Sequence, residues 1–470
     1  MRPLESPSLM AWAALAVRLV GFAVVLPAAL AQLSSAEVSV WLLFSTITSL
    51  QLLVDFGFGA TFSREIAYGF AGGSTLAPTA QSRVPKEEAR PDWASISRTM
   101  AAMRWLYRRL GLATLLLLAT LGTLAVARPI GRIEVPVDGW LGWIVIVGST
   151  ASAIIGNANS SFLLGANRIA QMKRWEACNG LAFIPLQVVV LLAGGGLLGL
   201  VLAAQAGVLS QVLINWVLAR RMTASHTGGK LSRDETRAVV RGLWPAAWRT
   251  AVGTISSFGV HQGMAIAMAN VLAAGEAASV QVALRLVQII SQFSQVPFYT
   301  KIPVFNRLRA MGADADLMAL VNRAIRLSLG LFVAAAIATD LAIRPILDLV
   351  GSQTSFPSPL FWLLLALAGL FERIGAMHVQ LLMTSNRMIA HIANVVTAVA
   401  WIGATVALWP SLAATALPLG MLIAYAGFYA PWSSYKSRAR MGPEGGLAFE
   451  LRTSALPVAM LAAYFAIAML

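Results

Sequence analysis

Apolar runs of membrane-spanning length succeed one another along this 470-residue chain, near 9–33, 38–61, 106–127, 139–165, 174–194, 196–219, 244–271, 277–300, 325–349, 359–384, 388–409, 412–433 and 450–469. About 20 apolar residues cross a hydrocarbon core as a helix, so the thirteen runs predict an all-α polytopic membrane protein. Composition agrees. The chain is 58% hydrophobic and 12% charged, whereas a soluble domain is about half apolar and about a quarter charged. Ala29-Leu30-Ala31 resembles a signal-peptidase site. The run around it is long, carries Arg18 inside it and follows a weak charged region, so it reads as a retained helix.

The charges orient the runs. With the N-terminus inside, only Arg128, Arg132 and Arg344 of the 35 Lys and Arg fall in outward segments, and Arg18, Arg249, Arg285 and Arg373 fall inside spans. The net charge of +15 is then the positive-inside rule at work, with no nucleic-acid partner implied. The polar, Pro-containing segment 73–97 reads as a flexible cytoplasmic loop. Six spans lie in 1–219 and six in 244–433, joined by a basic linker over 220–243, and 434–470 holds a cytoplasmic loop and one extra helix.

Much chemistry is excluded. Cys178 is alone, so neither an internal disulfide nor a cysteine-based metal site can form. No zincin, P-loop, nucleophile-elbow or dinucleotide signature occurs, so neither an enzyme nor a cofactor is expected.

Three short matches suggest that the halves are copies. Asn167-Arg168 recurs as Asn386-Arg387 at the ends of spans 4 and 10. Arg18 recurs as Arg249 early in spans 1 and 7, and Glu37 as Glu276 before spans 2 and 8. Both copies start inside, so the repeat is parallel, and substrate sites in such proteins lie between the lobes.

The stretch from Glu37 to Arg64 is chemically odd. It carries Asp55 at the end of an apolar run, where a carboxylate costs about 2.5–3.5 kcal/mol near a helix centre unless paired or wetted. Glu37, Trp41, Asp55-Phe-Gly-Phe-Gly and Arg64-Glu65-Ile66-Ala67, with Gly165-Ala166-Asn167-Arg168 closing span 4, resemble the bacterial polysaccharide-biosynthesis flippases. These are the oligosaccharide-lipid flippases of the multidrug/oligosaccharidyl-lipid/polysaccharide exporter superfamily. The resemblance covers spans 1–12. It implies two six-helix bundles around a central cationic cavity, alternating access driven by H+ or Na+, and a polyprenyl-pyrophosphate-linked oligosaccharide as cargo. It also implies a bacterial inner-membrane location, contact with membrane lipids, and a polysaccharide polymerase and chain-length regulator as partners. A thirteenth span departs from the even number common in the family.

A pyrophosphate crossing hydrocarbon needs cations facing water, and the planar fork of arginine binds phosphate oxygens bidentately. Arg18, Arg249, Arg285 and Arg373 are therefore substrate-binding candidates. Arg249 sits near a helix end where it can snorkel, and structural pairing is the alternative for the others. Gln288, Ser291, Gln292 and Gln295 share one face of span 8 below Arg285 and read as a hydrophilic cavity wall or as interhelical hydrogen bonding. Glu372 is the ion-coupling candidate, or half of an ion pair between helices. It need not pair with Arg373, because adjacent helical residues diverge by about 100°. Asp55 is a second coupling candidate, with capping or pairing near Arg64 as its structural alternative. His261 and His378 read as helix contacts, and Asn157, Asn159 and Gln262 as further polar wall positions.

Three other readings use the same residues. A multidrug cation antiporter would want acids and aromatics, where spans 1, 7 and 8 offer arginines. A peptidoglycan-precursor flippase would share the fold and the cavity charge. A membrane-embedded glycan polymerase or glycosyltransferase would want a large outer loop or an Asp cluster, and neither is present.

Overall fold

Two helices of the first unit begin where a side chain, Ser34 or Asp92, caps the first turn. Ser34 Oγ accepts the Glu37 amide at 3.3 Å, and the Glu37 carboxylate accepts the Ser34 amide at 2.9 Å. This reciprocal capping box explains Glu37: the acid satisfies the N-terminus of a helix. The computed structural model describes residues 7–55, 58–70, 91–224, 235–237, 240–241, 252, 255–302, 304–305, 308, 314–383, 390–438 and 451–468. All regular structure among them is helical, and the chain forms two units, Met1–Thr254 and Ile255–Leu470.

The first unit holds α1 (Pro7–Gln32), α2 (Ser35–Ser49), a short α3 (Gln51–Val54) and α4 (Phe58–Phe70). The single span expected over 38–61 is thus three pieces, interrupted at Leu50 and again at Asp55. α5 (Trp93–Leu117) starts on an Asp92 cap, inside the segment expected as loop to 97, and runs through a π-helical turn at Leu118–Gly122 into α6 (Thr123–Ile130). Residues 73–90 of that expected loop lie outside the described residues. α7 (Pro136–Gly165), α8 (Ile169–Leu192) and α9 (Gly196–Thr223) complete the unit.

The Gly-Ala-Asn-Arg motif terminates α7. Asn167 adopts φ 57°, the left-handed conformation that Asn tolerates, and the Arg168 and Asn167 amides close onto Leu163 and Leu164 carbonyls at 2.9 and 3.1 Å. Two residues earlier, Gly165 admits α4: a β-carbon there would stand 2.5 Å from the Ser63 carbonyl. Phe58, Phe62 and Ile66 of α4 then bury against Met103 and Tyr107 of α5 and Phe162 of α7. The outer face of α5 and α6 leaves Leu116, Leu121 and Leu124 more than 60% exposed, a surface suited to lipid tails.

The second unit begins with a π-helical turn at Ile255–Gly259 leading into α10 (Val260–Val271), then α11 (Ala274–Ser294) and a short α12 (Val296–Tyr299). α13 (Asp314–Leu349), α14 (Pro359–Met383) and α15 (Ala390–Leu412) follow. After a 3₁₀ turn at Ala413–Thr415 the chain re-enters as α16 (Ala416–Ala424), a π-helical turn at Tyr425–Tyr429, and α17 (Ala430–Arg438). A last π-helical turn, Leu451–Ala455, precedes α18 (Leu456–Ala468), which packs on α13 and α14.

Neighbour relations repeat between the units. In the first, α4 packs on α5 and α7, α5 on α7, α7 on α9, α8 on α9, and α1 on α8. In the second, α11 packs on α13 and α14, α13 on α14, α14 on α16 and α17, α15 on α16, and the turn before α10 on α15. The repeat suggested by three short sequence matches is therefore a repeat of packing.

Seven helical runs among the described residues are long and apolar enough to cross a membrane, which makes this a multi-pass membrane protein. One of them, 391–437, contains a reversal. Ala413 takes φ 45° and turns the chain so that α16 lies back along α15, with Gly420 against Thr405 and Trp401 Nε1 donating to the Leu417 carbonyl at 3.3 Å. The left-handed conformation costs a non-glycine residue about 1–2 kcal/mol. Ala413→Gly should therefore raise the melting temperature in detergent by about 2 °C, and Ala413→Val should lower it. A fall with glycine would show that Ala413 carries no strain.

Candidate functional site

Within the second unit, α10, α11, α14, α15 and the Tyr425–Tyr429 turn enclose a cavity of about 270 Å³. One wall is the polar stripe of α11. Residues 288, 291, 292 and 295 leave that helix on one face at helical spacing, and all four line the space. Glu372 and Arg373 of α14 meet this wall. Arg373 is 6% exposed, and its Nη1 donates to the Ser291 carbonyl at 3.3 Å and to Gln295 Oε1 at 3.0 Å. Its Nη2 donates to Glu372 Oε1 at 3.4 Å, while Ser291 Oγ donates to Glu372 Oε2 at the same distance.

A further part of the lining is aromatic. The His261 ring stands edge-on to Trp401 with centroids 4.7 Å apart, and the Tyr425 hydroxyl lies 3.5 Å from His261 Nε2. Tyr425 and Tyr429 form an edge-to-face pair at 5.4 Å. They sit at the two ends of a π-helical turn, whose wider winding aims both rings inward. Gly375 makes room for Tyr429, since a β-carbon there would collide with that ring. An acid held by a cation, flanked by amides and faced by aromatic rings, offers hydrogen bonds and apolar faces to one ligand.

The structure brings six of the expected cavity residues together here: Gln288, Ser291, Gln292, Gln295, Glu372 and Arg373. Glu372 and Arg373 do touch each other, although adjacent helical positions diverge by about 100°, because the long guanidinium stem wraps back to the neighbouring carboxylate. Arg285 lies one turn before the stripe, half-buried, with Nη1 donating to Gln288 Oε1 at 3.4 Å. Arg18 lies on α1, with its side chain outside the described residues, as is the whole of Arg249.

Asp55 stands in the first unit and is not paired with Arg64. It accepts from the Tyr107 hydroxyl and, at 3.1 Å, from the Gly59 amide at the start of α4. Gly59 leaves space for it, as a β-carbon there would meet the Asp55 carboxylate oxygens at 3.0 and 3.1 Å. Asp55 thus ties the start of α4 to α5. Asn159 lines a separate recess of the first unit rather than the cavity. Tyr425 and Tyr429 give no helical signal in the sequence, because a π-helical turn shifts side chains off the 3.6-residue period.

No family model matches the sequence, and no curated protein matches it. Solved structures do match in fold. The inward-facing form of a multidrug resistance MATE family transporter of the MOP superfamily superposes with TM-score 0.62 at 12% identity, over 91% of this chain and 98% of that one. The lipid II flippase MurJ in an inward closed conformation gives 0.61 at 12% identity, over 98% and 99%. A MOP superfamily transporter from Pyrococcus furiosus with a binding pocket of reverse polarity gives 0.50 at 14%, over 93% and 97%. At such identities the likeness is one of fold. The chain has the fold of the MOP superfamily transporters.

Proposed function

We propose that the protein is a flippase moving a polyprenyl-pyrophosphate-linked oligosaccharide from the cytoplasmic to the periplasmic leaflet of a bacterial inner membrane, for surface polysaccharide assembly. The observation that carries this reading is that the amide and hydroxyl stripe of α11 lines one cavity together with Trp401, Tyr425 and Tyr429. Amides and hydroxyls pair with sugar hydroxyls, and aromatic faces cover the apolar faces of sugar rings. Gln288 and Gln292 are the proposed sugar contacts. Arg285, at the end of the stripe, supplies a planar cation for the diphosphate. Arg373 braces the wall, and Glu372 is the proposed site of H+ or Na+ coupling. A neighbour named as a lipid II flippase supports a lipid-linked cargo.

A strain lacking the protein should accumulate lipid-linked oligosaccharide in the cytoplasmic leaflet. Wild-type protein should clear it, Arg285→Ala should fail, and Arg285→Lys should clear it in part. One observation favours a second reading, multidrug cation antiport: Glu372 among aromatic rings is a set that suits an organic cation. Both carboxylate oxygens are already engaged by Arg373 and Ser291, which ranks this reading second. An unchanged glycan distribution with reduced efflux of a cationic dye would put it first.

A further inference from the structure

The first unit carries a second recess, of about 460 Å³. Arg104 and Arg108 reach it from α5, Asn159 from α7, and Trp216 and Arg220 from α9. Arg104 and Arg108 are one helical turn apart, so their guanidiniums leave the same face. Arg220 comes from across the recess, with its guanidinium 5.0 Å from the Trp216 ring centroid. Apolar Ile155 and Ala158 complete the lining. Among the described residues, no carboxylate pairs with any of the three arginines, and none lines the recess.

Topology alone accounts for basic residues at these helix ends, because loops retained in the cytoplasm accumulate them. It does not account for their convergence. Charges that serve only to orient a helix are free to point apart into water, where mutual repulsion is least. Here two helices aim three cations at one hollow with an amide donor beside them and an indole at the edge. That set matches a phosphate: planar forks for its oxygens, an N–H donor from Asn159, and an apolar flank. Basic pockets between membrane helices on the cytoplasmic side are where acidic headgroups dock.

We propose that this recess is a binding site for a phosphate-bearing anion, held by Arg104, Arg108 and Arg220. The site shares no residue with the second-unit cavity and does not rest on the cargo proposed above. An anionic phospholipid headgroup and a soluble diphosphate both offer the chemistry, so the test separates them. Full-length protein in detergent is titrated with phosphatidylglycerol, phosphatidylcholine or inorganic pyrophosphate, and bound ligand is counted by native mass spectrometry.

Phosphatidylglycerol or pyrophosphate should bind about tenfold or more tightly than phosphatidylcholine. The triple variant Arg104→Gln, Arg108→Gln, Arg220→Gln should lose that preference, a difference of about 1.4 kcal/mol or more. A control of equal charge loss outside the recess, Arg109→Gln, Arg174→Gln, Arg221→Gln, should keep it. Pyrophosphate that displaces the lipid identifies a soluble ligand, and lipid retained against pyrophosphate identifies a headgroup. Equal loss in both triple variants, or no loss in the recess variant, overturns the site.

Discussion

Proteoliposomes carrying Glu372→Gln should lose gradient-driven cargo movement by about 5- to 150-fold, the span of a coupling energy of about 1–3 kcal/mol. The exchange preserves volume and hydrogen-bonding reach but removes the ionisable group. Ser291 still has an acceptor, so the wall keeps its shape while the charge that answers Arg373 disappears. Cargo movement down its own gradient should fall far less. The assay is uptake of a labelled lipid-linked glycan with an imposed proton or sodium gradient and without one. Glu372→Gln vesicles that respond to either gradient as wild type does would remove Glu372 from ion coupling.

The second large effect is expected at Gly165. A β-carbon there would stand 2.5 Å from the Ser63 carbonyl oxygen and 2.6 Å from Ile66 Cβ, and backbone cannot step aside as a side-chain tip can. Gly165→Ala should push α4 off α7 and destabilise the first unit by about 1–3 kcal/mol, the usual cost of overpacking. Gly148 lies on the same helix and supplies the contrast, since a β-carbon there meets nothing within 4 Å. Gly148→Ala should be neutral or stabilising by up to about 1 kcal/mol, through helix propensity alone. Melting curves of the purified variants decide the matter, and equal behaviour of the two would show that α4 and α7 can separate without cost.

Those glycines mark the boundary of what the sequence makes legible. The apolar runs were readable because lipid demands them, and the stripe of α11 because residues at i, i+3, i+4 and i+7 must share a face. The Ser34–Glu37 pair is a sequence signature of a helix start, overshadowed by the costlier acid further along the same stretch. The contact of Glu372 with Arg373 was hidden, since backbone geometry separates adjacent residues and only the length of the arginine side chain rejoins them. The aromatic wall was hidden as well, because nothing in Tyr425–Tyr429 announces a π-helical turn. Arg104 and Arg108 were legible as cytoplasmic charge, and Arg220 likewise. That they converge on one hollow depends on how α5 and α9 pack about α7, which no local pattern encodes.

The Arg373 contacts have a mechanical meaning. One guanidinium joins α14 to α11 through a backbone carbonyl and an amide, and the same guanidinium also holds Glu372. Removing that side chain would leave Glu372 without its cation, and the Ser291 carbonyl and the Gln295 amide without their partner on α14, in one step. A single buried side chain thus fastens two helices and an acid, so the cavity wall owes its shape to one residue of α14 as much as to the stripe of α11.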